Sequence, residues 1–397
     1  MATADSISDL TAASTRPVTG LLVLLAAMPP EQLEVVLVNL ATACPAEGLL
    51  VASPDAFPAD SHPALRIVAA PATNAWALTS ADFVNAYQLA EKNHVRALLM
   101  LGPESASLSS SALRDLANSV LTAHTDLAVA RYDLPPHAGL INSAILYPLT
   151  RALFASRVRF PLAVDLGLSL RMAERLARAG QYFTSRNQRE TPLWPINEAT
   201  IAGFAVGQVD VGPHVQSQSF VPDLNIIFPL VVGALFSDID AKAAFWQRFR
   251  PLPPESDSKS IPQELTSDSA AEIAPMVQAF RLAHTNLQEI WSLVLPPNSL
   301  LALKRLAATD AAAFSMPDSL WARIVYDFLL AYRLRTINRG HLLGALIPLY
   351  LAWVTSHFSI TASGASPECH VEAVAAAFES EKSYMVARWR WPDRFNP

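Results

Sequence analysis

Five consecutive apolar residues, Ala97–Leu101 (ALLML), lie between two segments of helical periodicity, Ser80–Asn93 and Ser111–His124. A strand without a polar face has to be covered on both sides, and the common solution is the middle of a parallel sheet with crossover helices on either face. The rest of the first half fits that solution. Gly20–Ala26, Gly48–Ala52, Leu65–Ala69 and Leu127–Tyr132 read as further strands, and Pro30–Ala43 as a helix with Pro30 in its first turn. Ser80 is placed to cap the helix that follows it. This alternation predicts an open, mostly parallel α/β sheet with helices on both faces.

Further along, Arg171–Ala179 and Ile196–Gly203 read as helices and Ala205–Val211 as a strand. Residues 1–16, rich in Ala, Ser, Thr and Asp, read as a disordered tail, which leaves 17–250 for the sheet domain. The stretch 251–269 (PLPPESDSKSIPQELTSDS) is polar and Pro-rich, as expected of a flexible linker or loop. Residues 270–397 read as an α-helical region, with helices at Ala270–Val294, Ser299–Ala308, Pro317–Asn338 and His341–Phe358.

Composition removes several functions. The net charge is −6 and no dense Lys/Arg run occurs, so electrostatic binding of nucleic acid is not expected. Cys44 and Cys369 stand far apart without a CxxC context, which points to reduced thiols in the cytoplasm and to neither a disulfide framework nor a zinc site. The apolar run Leu21–Ala27 follows Asp5 and Asp9 rather than a basic segment, so it reads as a buried strand and not a secretion signal. Leu342–Val354, broken by Pro348, is shorter than the ~20 residues of a membrane-spanning helix. It reads as a buried helix, with peripheral membrane contact left open. No Gly-x-Ser-x-Gly, phosphate-binding loop or His-Glu-x-x-His motif is present.

The segment Gly139–Ser169 (GLINSAILYPLTRALFASRVRFPLAVDLGLS) is of another kind. Asn142, Ser143, Tyr147, Thr150 and Arg151 fall at helical spacing beside Leu and Ile, and Asp165 sits among apolar residues before Gly167. A helix carrying so many hydrogen-bonding groups is not optimised for burial alone. The segment reads as loop, helix and second polar loop. It resembles retaining nucleotide-sugar glycosyltransferases of the mannosylglycerate synthase and glucosyl-3-phosphoglycerate synthase type, in particular a bacterial cell-wall-associated branch. Those carry G-x-I-T-N-S-I-x-Y-P-L-T-R-A-L-(F/Y) leading to x-D-(F/L)-G-(F/L)-S. Two further blocks are similar: Asp223–Phe236 (DLNIIFPLVVGALF), with Pro229 in place of an Arg, and Trp321–Tyr350.

The resemblance implies a GT-A type nucleotide-diphospho-sugar transferase fold with an α-helical C-terminal region. The implied reaction moves a hexose from a UDP- or GDP-sugar, with retention, to a small or lipid-linked acceptor. In such enzymes an Asp-x-Asp motif and a His hold a divalent metal, Mn or Mg, against the donor diphosphate. Here the first position reads Gly102-Pro103-Glu104, which keeps one carboxylate, and the second reads Gly212-Pro213-His214-Val215-Gln216, which puts Gln216 where the His is expected and His214 two residues early. Glu104 is either a reduced metal site, with His214 or Gln216, or a solvated turn. The wrong spacing favours reading His214 as an ordinary surface or hydrogen-bonded His over a ligand.

Ser53 and Asp55 fall where relatives receive base and ribose, without the glycines that ease backbone approach. The resemblance implies that Asp165 lies near the sugar and acceptor, to orient a hydroxyl or stabilise developing positive charge, the other reading being a cap for the following helix, and Asn142 is a candidate on the best-matched helix. Arg151 either anchors a phosphate or forms a structural ion pair. These departures keep a second function in view: a degenerate glycosyltransferase fold that binds sugar, nucleotide or a protein partner without turnover.

Overall fold

The structure is a computed structural model that describes residues 20–45, 48–54, 65–71, 77–122, 124–213, 223–248 and 270–392. The expected tail at 1–16, the linker at 251–269 and the candidate residues Asp55, His214 and Gln216 lie outside the described residues.

Seven strands, β1 (Leu21–Leu25), β2 (Leu49–Ser53), β3 (Arg66–Ala69), β4 (Ala97–Leu101), β5 (Leu127–Asp133), β6 (Leu166–Ser169) and β7 (Val206–Pro213), form one sheet in the order β3-β2-β1-β4-β6-β5-β7. Every neighbouring pair is parallel except the two that flank β6. All residues of β1 and β4 are buried, as the unbroken apolar runs require. Successive side chains of a strand point to opposite faces. Leu21, Val23 and Leu25 accordingly pack with α1 (Pro30–Ala43) and α3 (Ser110–Leu121). Leu22 and Leu24 pack with α2 (Ser80–Lys92), α5 (Leu170–Thr184) and α6 (Pro195–Ala202). An open, mostly parallel α/β sheet with helices on both faces, followed by a helical C-terminal region, is therefore the architecture observed.

Strand β6 corrects one reading. Sequence reasoning placed a polar loop there, but Leu166–Ser169 pairs antiparallel with both β4 and β5. A four-residue strand centred on glycine carries almost no periodic signal. Gly167 sits in a tight space, since a Cβ would lie 3.1–3.2 Å from Val120, Ala128 and the Leu116 carbonyl.

The helical region comprises α4 (Tyr147–Phe154), α7 (Leu224–Ala241), α8 (Ala243–Trp246), α9 (Ala270–Ser292), α10 (Pro297–Ala308), α11 (Asp318–Leu334), α12 (Arg339–Ala362), α13 (Pro367–Ser380) and α14 (Lys382–Arg390). Its core takes in α4, α7 and Trp194, all within the 17–250 segment assigned to the sheet domain. The apolar run at 342–354 grows into a 24-residue helix. By length and composition, α7 and α12 could each cross a membrane, yet 72% of the most apolar window of α12 is buried inside the protein, against 39% for α7.

Candidate functional site at the carboxyl edge of the sheet

In open α/β sheets ligands bind beyond the carboxyl ends of the strands, where the chain connections diverge. Here α1 leads from β1 out to β2 while β4 lies on the other side of β1, so the crevice opens between β1 and β4. The turn leaving β4 is Gly102-Pro103-Glu104. The Gly102 N–H donates to Asp165 Oδ1 at 2.8 Å, and the Tyr132 hydroxyl donates to Asp165 Oδ2 at 2.7 Å. Asp165 is 0% exposed, so its effect on a ligand passes through Gly102 and Tyr132. A Cβ at position 102 would lie 2.4 Å from Val164 Cγ2. A side chain at position 102, where the resembling enzymes carry their first metal carboxylate, would thus require Val164 to shift. Burial pushes the Tyr132 phenol well above its ordinary range, and the negative charges of Asp165 and Glu104 add to the effect.

From Tyr132 the site continues into the 139–169 block. The Tyr132 ring meets Phe160 edge-on at 5.2 Å, and the Arg159 guanidinium lies over Phe160 at 4.9 Å and Tyr147 at 5.3 Å. Arg159 donates through Nε and Nη2 to both oxygens of Glu368, at 2.8 and 3.2 Å, and through Nη2 to Ser143 Oγ at 3.0 Å. The Asn142 amide donates to the Arg159 carbonyl at 2.8 Å. Gln208 fixes the same loop from β7, accepting the Arg159 N–H at 2.7 Å and donating to the Arg157 carbonyl at 3.2 Å. Two buried atoms of this knot have no hydrogen-bond partner among the described residues: the acceptor Asn142 Oδ1 and the donor Arg159 Nη1. Buried polar atoms without partners are uncommon and ask for a ligand, a water or a reason.

Residues Asn142–Leu146 form a π-helical turn, a feature frequent at functional sites. Its cause is local. Pro148 has no N–H to give the Ala144 carbonyl, which accepts instead from Trp321 Nε1 at 2.8 Å.

Arg151 takes the second of its two readings. It is bonded to the Tyr147 hydroxyl at 3.1 Å, to Glu372, and to Glu379 at 3.1 Å, and so ties α4 to α13. Behind the knot, His357 Nδ1 and His370 Nδ1 share a hydrogen bond of 2.7 Å, and His370 Nε2 meets Asp318 Oδ1 at 3.2 Å. Burial, followed by the neighbouring His370, pushes His357 down to about 4.

The structure thus links Asp165 to Asn142 through Tyr132, Phe160 and Arg159, and turns Arg151 towards α13. Ser53 ends β2, buried at the same sheet edge. Sequence reasoning missed Tyr132, Arg159 and Glu368. Tyr132 gave a signal as the one aromatic side chain of β5, whereas Glu368 lies 209 residues from its partner and gave none. Among the described residues no group of three His, Cys, Asp or Glu side chains could hold a metal ion. The described donor set does not fit a divalent cation.

No family model and no curated protein matches the chain. Among solved structures it is similar to glucosyl-3-phosphoglycerate synthase from Mycobacterium tuberculosis in complex with phosphoglyceric acid, at 13% identity and a TM-score of 0.37, covering 56% of this chain and 79% of that one. The same synthase with manganese, UDP-glucose and phosphoglyceric acid gives 14% identity, a TM-score of 0.37, and 55% and 79% coverage. A mycobacterial protein gives 12% identity, a TM-score of 0.37, and 62% and 80% coverage. At this distance they carry no argument about the site, which is read from its own residues.

Proposed function

We propose that the protein is glycosyltransferase-like and that the crevice beside Ser53, Gly102–Glu104 and the Tyr132–Asp165 pair receives a nucleotide sugar, a UDP- or GDP-hexose, in the cytoplasm. One observation carries this reading. A buried polar knot runs from the β4 turn to Asn142 and Arg159 at the carboxyl edge of the sheet, and it keeps one acceptor and one donor unspent. The 139–169 block that builds the knot is also where the sequence most resembles the retaining hexosyltransferases.

In the full reaction the hexose leaves its diphosphate and joins a small or lipid-linked acceptor with retained configuration. Asp165 holds the Gly102 turn against the donor, and Asn142 Oδ1 is free to accept a sugar or acceptor hydroxyl. A metal-assisted form would need Mn or Mg on Glu104 with His214 or Gln216. The described residues supply no such set. A second reading, binding without turnover, is favoured by Val164 filling the space beside Gly102 and by the commitment of both Asp165 oxygens.

Calorimetric titration with UDP-glucose and GDP-mannose, with and without manganese, tests the proposal on the wild type and Glu104→Gln. Binding to at least one donor is expected. If Glu104 faces the bare diphosphate, the Gln variant binds more tightly without metal, because a like charge is removed. If it holds manganese, the variant loses the metal-dependent part. Release of the free nucleoside diphosphate separates transfer from binding alone. Absence of heat with every donor in both conditions would end the proposal.

A further inference from the structure

The unspent atoms of the knot, Asn142 Oδ1 and Arg159 Nη1, belong to side chains of residues that are each 9% exposed. A guanidinium carries five N–H donors in one plane, and those of Arg159 are unevenly used. Nε and Nη2 hold Glu368 side-on, Nη2 also donates to Ser143 Oγ, and the guanidinium lies over the Phe160 and Tyr147 rings. Among the described residues Nη1 is left without a partner. An arginine holds a carboxylate most strongly through two parallel N–H bonds. Here one edge is filled by Glu368, and the other has lost its Nη2 hydrogen to Ser143. Glu368 does not act alone. It lies on one face of α13 with Glu372 and Glu379, which take the Arg151 guanidinium, and Lys382 stands beside Glu379. Three cations (Arg151, Arg159 and Lys382) thus meet three carboxylates, and an incoming anion finds no surplus positive charge here.

We propose that the acceptor received at this knot is an uncharged polyol, and that Glu368 sets this specificity by filling the guanidinium edge an anionic acceptor would need. The inference rests on the glycosyltransferase reading, of which it names the acceptor class. Hydroxyls match what the knot leaves open. Each donates one hydrogen bond and accepts others, so one hydroxyl donates to Asn142 Oδ1 while a neighbouring one accepts from Arg159 Nη1. An ionised carboxylate or a dianionic phosphate only accepts. It would set lone pairs against Asn142 Oδ1 and leave that buried oxygen unpaired, which costs about 1–3 kcal/mol in general. It would also compete with Glu368 for a charge that two hydrogen bonds already neutralise. A polyol displaces none of the existing bonds. Glu368 is thus a positioning residue: it acts on the acceptor through Arg159.

The test compares sorbitol with gluconate, which differ at one carbon, hydroxymethyl against carboxylate. Both are titrated by saturation-transfer NMR against the full chain in the presence of UDP-glucose or GDP-mannose. The wild type should prefer sorbitol by about fivefold or more. Glu368→Gln keeps an acceptor beside Arg159 and removes the charge, so gluconate should tighten by about tenfold while sorbitol changes by less than about twofold. Glu372→Gln, the same change at the Arg151 pair, should leave the preference for sorbitol as it is, which separates a local effect from a general loosening. The Glu368 side chain is 40% exposed, and circular dichroism establishes that the variant is folded. The wild-type comparison stands without it. Gluconate binding the wild type as tightly as sorbitol, unchanged discrimination in folded Glu368→Gln, or no binding of either compound, with water alone in the knot, would each overturn the proposal. Nucleotide-sugar binding without sorbitol binding would overturn it and leave the proposed function standing. Sorbitol preference in a chain that takes no nucleotide sugar would support the polyol site and overturn the transfer reading.

Discussion

The 139–169 block and the turn after β4 face the same crevice and are built differently. In the block, long polar side chains reach across to the C-terminal helices: Arg159 to Glu368, Tyr147 to Glu372, and Arg151 to Glu372 and Glu379. In the turn, Gly102 offers a backbone N–H and a close approach, and Val164 fills the space beside it. The block that most resembles the glycosyltransferases is thus also the joint between sheet and helical region. A helix crowded with hydrogen-bonding groups is as much the mark of a joint between layers as of a site.

The comparison breaks first at the joint. Glu372→Ala with Glu379→Ala leaves Arg151, whose side chain is 10% exposed, without its carboxylates. A buried charge stripped of its partner costs about 3–5 kcal/mol, to be read by urea unfolding. A loss below about 1 kcal/mol would show that the joint does not depend on these pairs.

His357 sharpens the same comparison through pH. Its folded pKa of about 4 lies below the ordinary value of 6.5, so the unfolded chain binds the proton first as pH falls. The stabilisation is fully present above pH 6.5 and is lost between about 6.5 and 4, to the extent of about 3 kcal/mol. His357→Gln lacks this titration. The stability difference between wild type and variant should therefore shrink across that window, and a constant difference would contradict the burial argument.

The smallest effect belongs to the turn. Gly102→Ala places a Cβ 2.4 Å from Val164 Cγ2, and overpacking of this kind costs about 1–3 kcal/mol. Gly102→Ala/Val164→Ala should recover most of the loss attributed to the clash, as a thermal melt would report.

The sheet was legible because its signal is local. Unbroken apolar runs at 21–25 and 97–101 fix two buried strands, and the helical spacing between them fixes the crossovers. Strand β6 was not legible, since four residues around Gly167 owe their place to β4 and β5 rather than to a pattern of their own. The helices α13 and α14 were anticipated only as part of a helical region. At the candidate site, Asn142 and Asp165 were singled out from the sequence, and the link between them was not. Tyr132, Phe160 and Arg159 meet through tertiary packing that no spacing encodes. The two readings of Arg151 separated only when the carboxylates of α13 came into place.

The Ala144 carbonyl that Pro148 cannot satisfy has a consequence for how the protein is made. Its acceptance by Trp321 spans 177 residues, and the Arg159, Arg151 and Tyr147 pairings span 209 to 228. At a synthesis rate of about 5–20 residues per second, the middle of the chain leaves the ribosome roughly 10–45 seconds before its partners exist. During that interval the sheet can form around β1 and β4, while α4 waits with uncovered leucines and an unpaired arginine. The nascent protein passes through a stage that a chaperone would recognise and a premature stop codon would make permanent.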